Sequence, residues 1–369
     1  MSPTSVPMRL GIDVRKIADG GIGEYIRETL TAVRTLRSDL EIVAFGAPDE
    51  RDLLPLAGVE WVPVSAGKYS IAEHWSLPWA ARGRRIDLFH APHYVLPALL
   101  SGPAVVTVHD LIHLRFPRTP FHRLYARWLI GWAARRAARI ITVSETTARD
   151  LREMLGVPQA KLRVIPNGVA PRFQPLAPDR VAAMLAALGV ERPYVLFVGN
   201  CLPHKNVDTL VRAWDRLPEP RPRLVLCGGG FDRSGEVRAA IGAARGRERI
   251  QIVGGASREE LVALYNGAEL LASVSLYEGF CLPVVEAFAC GTPVLGPEAG
   301  AVPEIAGDAG LLVAPRRVDT IAAEMYRLLK DQGLRKELVE RGKRRAAAFS
   351  WAEGARKTLS VYEEVLANS

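Results

Sequence analysis

Short apolar runs recur along this 369-residue chain, each followed by a polar or glycine-bearing loop and then by a segment of helical period. The runs are a few residues long and rich in Val, Ile and Leu, the pattern of strands buried on both faces. They predict strands over 8–14, 41–45, 59–64, 88–90, 104–108, 139–144 and 162–165, then over 194–199, 223–230, 250–253 and 311–313. Helices are expected over 24–37, 121–138, 144–155 and 284–290. Another opens at Ser257, where Glu260 completes a capping box, and the last run from 318 to 369, the final one beginning at Phe349-Ser350-Trp351. Strands alternating with helices argue for an α/β fold of doubly wound parallel sheets, with ligands at the carboxyl ends of the strands. The longest uncharged stretch, 88–108, is interrupted by Pro92, Pro97, Gly102 and Pro103. It reads as two short strands and a loop, not as a membrane span.

The proline-rich segment 166–178 (PNGVAPRFQPLAP) is the best linker, and the domain boundary is placed there, giving domains over 1–170 and 171–350. Length and an apolar fraction of 49% suit two domains, each with its own core. Four cysteines, none spaced C-x-x-C, argue against a disulfide framework or a zinc site. With no signal-peptide pattern at the N-terminus, the expected compartment is the cytoplasm.

Charge changes the picture of the first half. Residues 1–178 carry 23 Lys/Arg against 16 Asp/Glu, whereas 179–369 carry 25 against 24, for a net +8 in the whole chain. The first half therefore faces an anionic partner. Between 111 and 144 there is no acid, but there are seven arginines: Arg115, Arg118, Arg123, Arg127, Arg135, Arg136 and Arg139. Tyr125, Trp128 and Trp132 lie among them. Such a helix, spanning 115–139, either lies on an anionic membrane surface or packs its aromatics inward with its arginines in water. No nucleic-acid motif accompanies the charge, so nucleic acid is not expected as a partner.

The chemistry gathers at 275–296, SLYEGFCLPVVEAFACGTPVLG, read as loop, helix, turn and strand. Pro283 suits the first helical position, Gly291 a left-handed cap, and Pro293 stops the helix. Glu286 then falls in the first turn, where the positive helix end keeps a carboxylate ionised and able to accept two hydroxyls of a diol. Glu278 stands on the other side of the loop amides, which can meet an anion. Hydroxyl-rich group, phosphate and second hydroxyl-rich group in a row outline a sugar nucleotide. The bland alternative is one solvated and one capping glutamate, and a glycosidase acid/base pair is a third reading. Two other strand–loop–helix passages suit phosphate as well. One is Gly20-Gly21-Ile22-Gly23, with Arg15 and Lys16 at its mouth. The other is 200–205, which ends in Lys205, a point charge for phosphate. His109-Asp110 follows the strand 104–108 at its carboxyl end. His109 is either functional or a satisfied structural residue. Asp110 either orients His109, binds an acceptor hydroxyl or caps the next turn.

The string EGFCLPVVEA followed by CGTPV resembles the donor-site signature of glycosyltransferase family 4, retaining and metal-independent enzymes of the two-domain GT-B fold. It departs once, with Cys281 where glycine is usual, and Asn200 stands where the family often has arginine. The resemblance is similar in kind to bacterial mannosyltransferases of polysaccharide synthesis. It implies two Rossmann-like domains facing a cleft, with a helix over 351–369 crossing back to the first. It also implies a hexosyltransferase that moves mannose from GDP-mannose to a glycan or lipid-linked acceptor, on the inner face of the cell membrane. A UDP-sugar with a soluble acceptor, or an inactive protein of the same fold, are the alternatives.

By the same resemblance, Glu286 binds the ribose. Gly21, Gly23, Asn200, Lys205 and the amides of Gly279, Phe280, Cys281 and Leu282 hold the donor's diphosphate. His109, Lys205 and Glu278 are the catalytic set, while Arg15 and Asp110 face the acceptor. No metal or cofactor is implied, which agrees with the absence of any Asp-x-Asp pair in the sequence.

Overall fold

The computed structural model describes residues 8–67, 70, 72–117 and 119–369. Arg118 of the basic helix therefore lies outside the described residues. The chain divides into two compact units, Met1–Gly168 with Ser350–Ser369, and Val169–Phe349.

The first unit is built on seven parallel strands: β1 (Arg9–Asp13), β2 (Glu41–Gly46), β3 (Val59–Pro63), β4 (Leu88–Ala91), β5 (Ala104–Val108), β6 (Arg139–Thr142) and β7 (Leu162–Val164). Their order across the sheet is β3-β2-β1-β4-β5-β6-β7. Ile12 of β1 stands opposite Ala44 on one side and His90 on the other. The order reverses between β1 and β4, so the loops leaving these two strands part and open a crevice. Every residue of β4 and β5 is buried, as two-sided coverage by helices requires.

The final helix, Trp351–Ala367, belongs to this unit although it is last in sequence. Gly168 makes the junction possible: a Cβ there would stand 2.2 Å from the Trp351 backbone nitrogen. Polar contacts, buried and half-buried, then pin the helix. The Tyr362 hydroxyl lies 2.7 Å from His90 Nδ1, and Arg139 and Arg163 both donate to Glu364.

The second unit carries β8 (Tyr194–Val198), β9 (Arg223–Cys227), β10 (Ile250–Val253), β11 (Leu270–Ala272), β12 (Val294–Pro297) and β13 (Leu311–Val313), again all parallel, in the order β10-β9-β8-β11-β12-β13. Here the reversal falls between β8 and β11. The doubly wound α/β expectation is met in each unit. Strand β11, three residues long, was not among the expected strands. The strand expected to reach residue 230 stops at Cys227, because Gly228 and Gly230 turn away with φ of 141° and 86°. Among the described residues, no helix is long and apolar enough to cross a membrane.

Candidate active site

In the second unit, the loops at and beside the β8/β11 reversal bring together three separate stretches of sequence. Gly199 and Asn200 leave β8, Gly228–Gly230 leave β9, and 273–281 leave β11. The backbone crowds at this point: a Cβ on Gly228 would stand 2.1 Å from the Gly199 carbonyl oxygen. A short helical turn, Pro203–Lys205, carries the lysine back across the Gly199 backbone, with Lys205 Cε 3.8 Å from where a Cβ would sit. Asn206 closes the turn at φ 56°. Its side chain donates to the Val274 and Pro315 carbonyls, which fixes the turn against the loop leaving β11.

Lys205 and Glu278 meet directly. Nζ is 2.7 Å from Oε1, and both side chains are largely buried. Glu278 is itself held by its backbone, since Ala301 N–H donates to its carbonyl. Gly300 stands so close, at φ 59°, that a Cβ would fall 2.5 Å from the Glu278 nitrogen. Nothing in the motif signalled Gly300, because the contact is between loops far apart in sequence.

Glu286 corrects two expectations. The helix runs Leu282–Cys290, starting ahead of Pro283, so Glu286 is its fifth residue and lies past the first turn. The favourable field of a helix end fades within that turn. Burial therefore prevails and pushes the Glu286 carboxyl up to about 7, against the opposing pulls of Tyr265 and Arg172. The Tyr265 hydroxyl donates to Glu286 Oε2 at 2.7 Å from the helix Arg258–Gly267. Neither Tyr265 nor Arg172 was among the candidates, since pattern and motif do not connect them to residue 286.

The early helix start has its cause at Cys281. This residue is the N-cap with φ 76° and ψ 71°, a left-handed conformation that favours glycine. Gly279 precedes it in the loop, and Leu282 opens the helix. Phe280 is buried edge-on against Phe349, with ring centroids 5.6 Å apart. Asn200 turns toward the loop leaving β9, its Oδ1 accepting from Gly229 N–H at 3.3 Å.

In the first unit, the residues following β1, β4 and β5 gather at the β1/β4 reversal. Arg15, expected as added positive charge at the mouth of a glycine loop, is instead buried. It pairs with Asp13 at 2.7 Å and Glu73 at 2.9 Å, and His93 Nε2 lies 2.9 Å from the same Asp13 carboxyl. Burial alone would raise Asp13, but Arg15 and His93 outweigh it and hold the carboxyl well below the usual range. The charge of the Arg15 guanidinium is thus met by two carboxylates in a buried site rather than standing open at the mouth of a loop.

The glycines are also placed differently from expectation. Gly20, Gly21 and Gly23 are not a loop before the helix but its first turn, Gly20–Leu36. Gly23 is required there because a Cβ would sit 2.1 Å from the Ile17 carbonyl oxygen.

His109 follows β5, with Tyr25 edge-on at 4.8 Å. Its Nε2 is 2.9 Å from the Pro92 carbonyl oxygen, which only accepts, so Nε2 carries the proton. Burial pushes His109 down to about 4, and the imidazole is neutral near pH 7. Asp110 Oδ1 accepts from Ile112 N–H, capping the next turn, the third of the roles considered for it.

Comparison with known proteins places this geometry in context. Residues 186–345 match the family described as Glycosyl transferases group 1, and residues 19–173 match Glycosyltransferase Family 4. The chain is 28% identical to the O-antigen chain mannosyltransferase B of Escherichia coli, across 93% of this chain and 96% of that protein. It is 30% identical to the D-inositol 3-phosphate glycosyltransferase of Salinispora arenicola, across 99% and 81%. Among solved structures, the sucrose-phosphate synthase of Thermosynechococcus elongatus superposes with a TM-score of 0.82, covering 98% of this chain and 100% of that one at 22% identity.

Proposed function

This chain belongs to the family 4 and group 1 glycosyltransferases, hexosyltransferases of the GT-B fold, and from that premise we propose that it transfers mannose from GDP-mannose to a glycan or lipid-linked acceptor, with retention and without a metal. The observations that carry the reading are the pairing of Lys205 with Glu278 and, one short helix on, a buried Glu286 held on one oxygen by Tyr265. The tyrosine leaves the other carboxylate oxygen to accept from ribose hydroxyls, while Lys205 offers a cation to the diphosphate.

Breaking the bond between sugar and nucleoside diphosphate leaves growing negative charge on the departing phosphate and positive charge on the sugar carbon. Lys205, already fixed over the Gly199 backbone, stabilises the first without reorganising. Glu278 lies next to it and can hold a sugar hydroxyl or face the developing positive charge. In same-face attack the departing phosphate takes the acceptor proton, so no protein nucleophile is needed. His109, neutral and with Nε2 already donating, offers Nδ1 as a hydrogen-bond acceptor for a hydroxyl rather than an acid. Mannose is favoured by the Escherichia coli relative, whose name gives mannosyl transfer.

A second reading, transfer to a soluble phosphorylated polyol, is favoured by the inositol-phosphate glycosyltransferase relatives. A panel of GDP- and UDP-linked sugars decides between donors, scored first by binding and then by hydrolysis without acceptor. GDP-mannose should bind most tightly and be hydrolysed. Preference for a UDP-sugar would overturn the donor assignment, and no binding of any member would overturn the reading of the site.

A further inference from the structure

Six of the eleven large hydrophobic side chains exposed among the described residues lie on or beside two neighbouring helices of the first unit. On the helix Glu73–Ala81, Trp75 and Trp79 stand one turn apart, and Leu99 shares a groove with them. On the helix Pro120–Arg136, Phe121, Leu124 and Trp128 follow the i, i+3, i+7 spacing that puts them on one face. Trp79, Phe121 and Leu124 are each about two-thirds or more exposed, at 73%, 72% and 67%. The two helices touch through His74 and Trp128, with ring centroids 6.5 Å apart. Apolar side chains gathered in this way are not the scattered exposure of an ordinary surface.

The charge around these residues is of one sign. The longer helix has no acidic residue, and the only one on the shorter helix, Glu73, is buried against Arg15. The structure narrows the arginine count of the sequence, because Arg115 is paired with Asp150 and Arg139 with Glu364. Among the described residues, Arg127 and Arg136 donate to backbone carbonyls rather than to carboxylates. Arg123 and Arg135 are exposed, and Arg135 lies two turns beyond Trp128 on the same face. Arg82 stacks 5.3 Å over the Trp79 ring. Apolar tips flanked by unneutralised arginines match the boundary of an anionic bilayer, where the tips enter the headgroup layer and the arginines meet lipid phosphates.

We propose that the outer faces of the helices Glu73–Ala81 and Pro120–Arg136 together form the surface by which this protein docks on an anionic membrane. Trp79, Phe121 and Leu124 supply a salt-insensitive apolar part, and Arg82, Arg123 and Arg135 a salt-sensitive part. This goes beyond the donor chemistry, and its test does not depend on it.

The test is flotation of the full chain with vesicles of phosphatidylcholine alone and of phosphatidylcholine mixed with phosphatidylglycerol, at low and high salt. The parent protein should partition at least tenfold more onto the mixed vesicles at low salt, and less at high salt. The variant Arg123→Glu/Arg135→Glu should lose that excess at low salt and match the parent at high salt. The variant Trp79→Ser/Phe121→Ser/Leu124→Ser should bind at least tenfold less at both, with an unchanged melting temperature and unchanged donor binding. No partition of the parent at low salt, equal partition onto both vesicles, or unaltered binding by the apolar variant would each overturn the proposal. So would a dimer abolished by the apolar substitutions without any vesicle binding, which would make the face a contact between two copies.

Discussion

The buried Glu286 carries a pH signature that a surface glutamate would lack. With its carboxyl pushed up to about 7, roughly nine-tenths is ionised at pH 8 and about one-tenth at pH 6. If only the carboxylate grips the ribose, apparent affinity follows that fraction, and donor Kd should rise about tenfold between pH 8 and 6. Glu286→Gln keeps the shape but cannot ionise. It should bind more weakly at pH 8 by about 1.5–3 kcal/mol, one charge-assisted hydrogen bond, which is roughly 10- to 150-fold. The pH dependence should vanish in this variant. Tyr265→Phe removes the hydrogen bond that opposes the upward shift, so its profile should move to higher pH, a change that mere loss of packing would not produce. Calorimetric titration with an intact nucleotide sugar across pH 5.5–8.5 reads all three. A free nucleoside diphosphate is unsuitable because its terminal phosphate titrates in the same range. A flat profile in the parent, or the same slope in parent and Glu286→Gln, would refute the assignment of the ribose to Glu286.

Lys205→Ala should lower turnover by about 10²–10³, with a smaller effect on donor affinity, because the charge it meets grows as the bond breaks; equal losses in kcat and binding would make it a ground-state contact. Activity should survive EDTA, and complete loss restored by a divalent ion would sink the metal-free reading. Cys281→Gly should raise stability by about 1 kcal/mol by relieving the left-handed N-cap at φ 76°, seen as a rise in Tm, and a lowered Tm would show that the buried thiol's packing matters more. Acid should destabilise the first unit. Burial lowers His90 to about 3, so the unfolded chain takes up the proton first. The stability is present above pH 6.5 and lost as pH falls from 6.5 toward 3, by a few kcal/mol at most. A denaturation midpoint unchanged between pH 7 and 4.5 would contradict this.

Strand periodicity, the glutamate pair and the loop leading to Lys205 were legible because each is local. An apolar run signals a strand whatever surrounds it, and a motif such as Glu278 to Glu286 spans a single loop and helix. The proline-rich segment around 166–178 was legible for the same reason, as composition alone marks it. What stayed hidden was set by contacts between distant residues. Glycine-rich sequence at 20–23 suits a loop as well as a helix start, and only the close approach of the Ile17 carbonyl fixes Gly23 within the helix. Arg15 looked available because its neighbours in sequence are not its neighbours in space: Glu73 reaches it from a helix nearly sixty residues on. The ionisation of Glu286 likewise turned on burial and on Tyr265, neither of which is encoded in the spacing of the two glutamates. The sequence by itself marked the candidate side chains and most of the segments that become strands. The order of those strands, and with it the two reversals where the side chains gather, was decided only by tertiary packing, since sheet order and desolvation depend on which elements bury one another's faces.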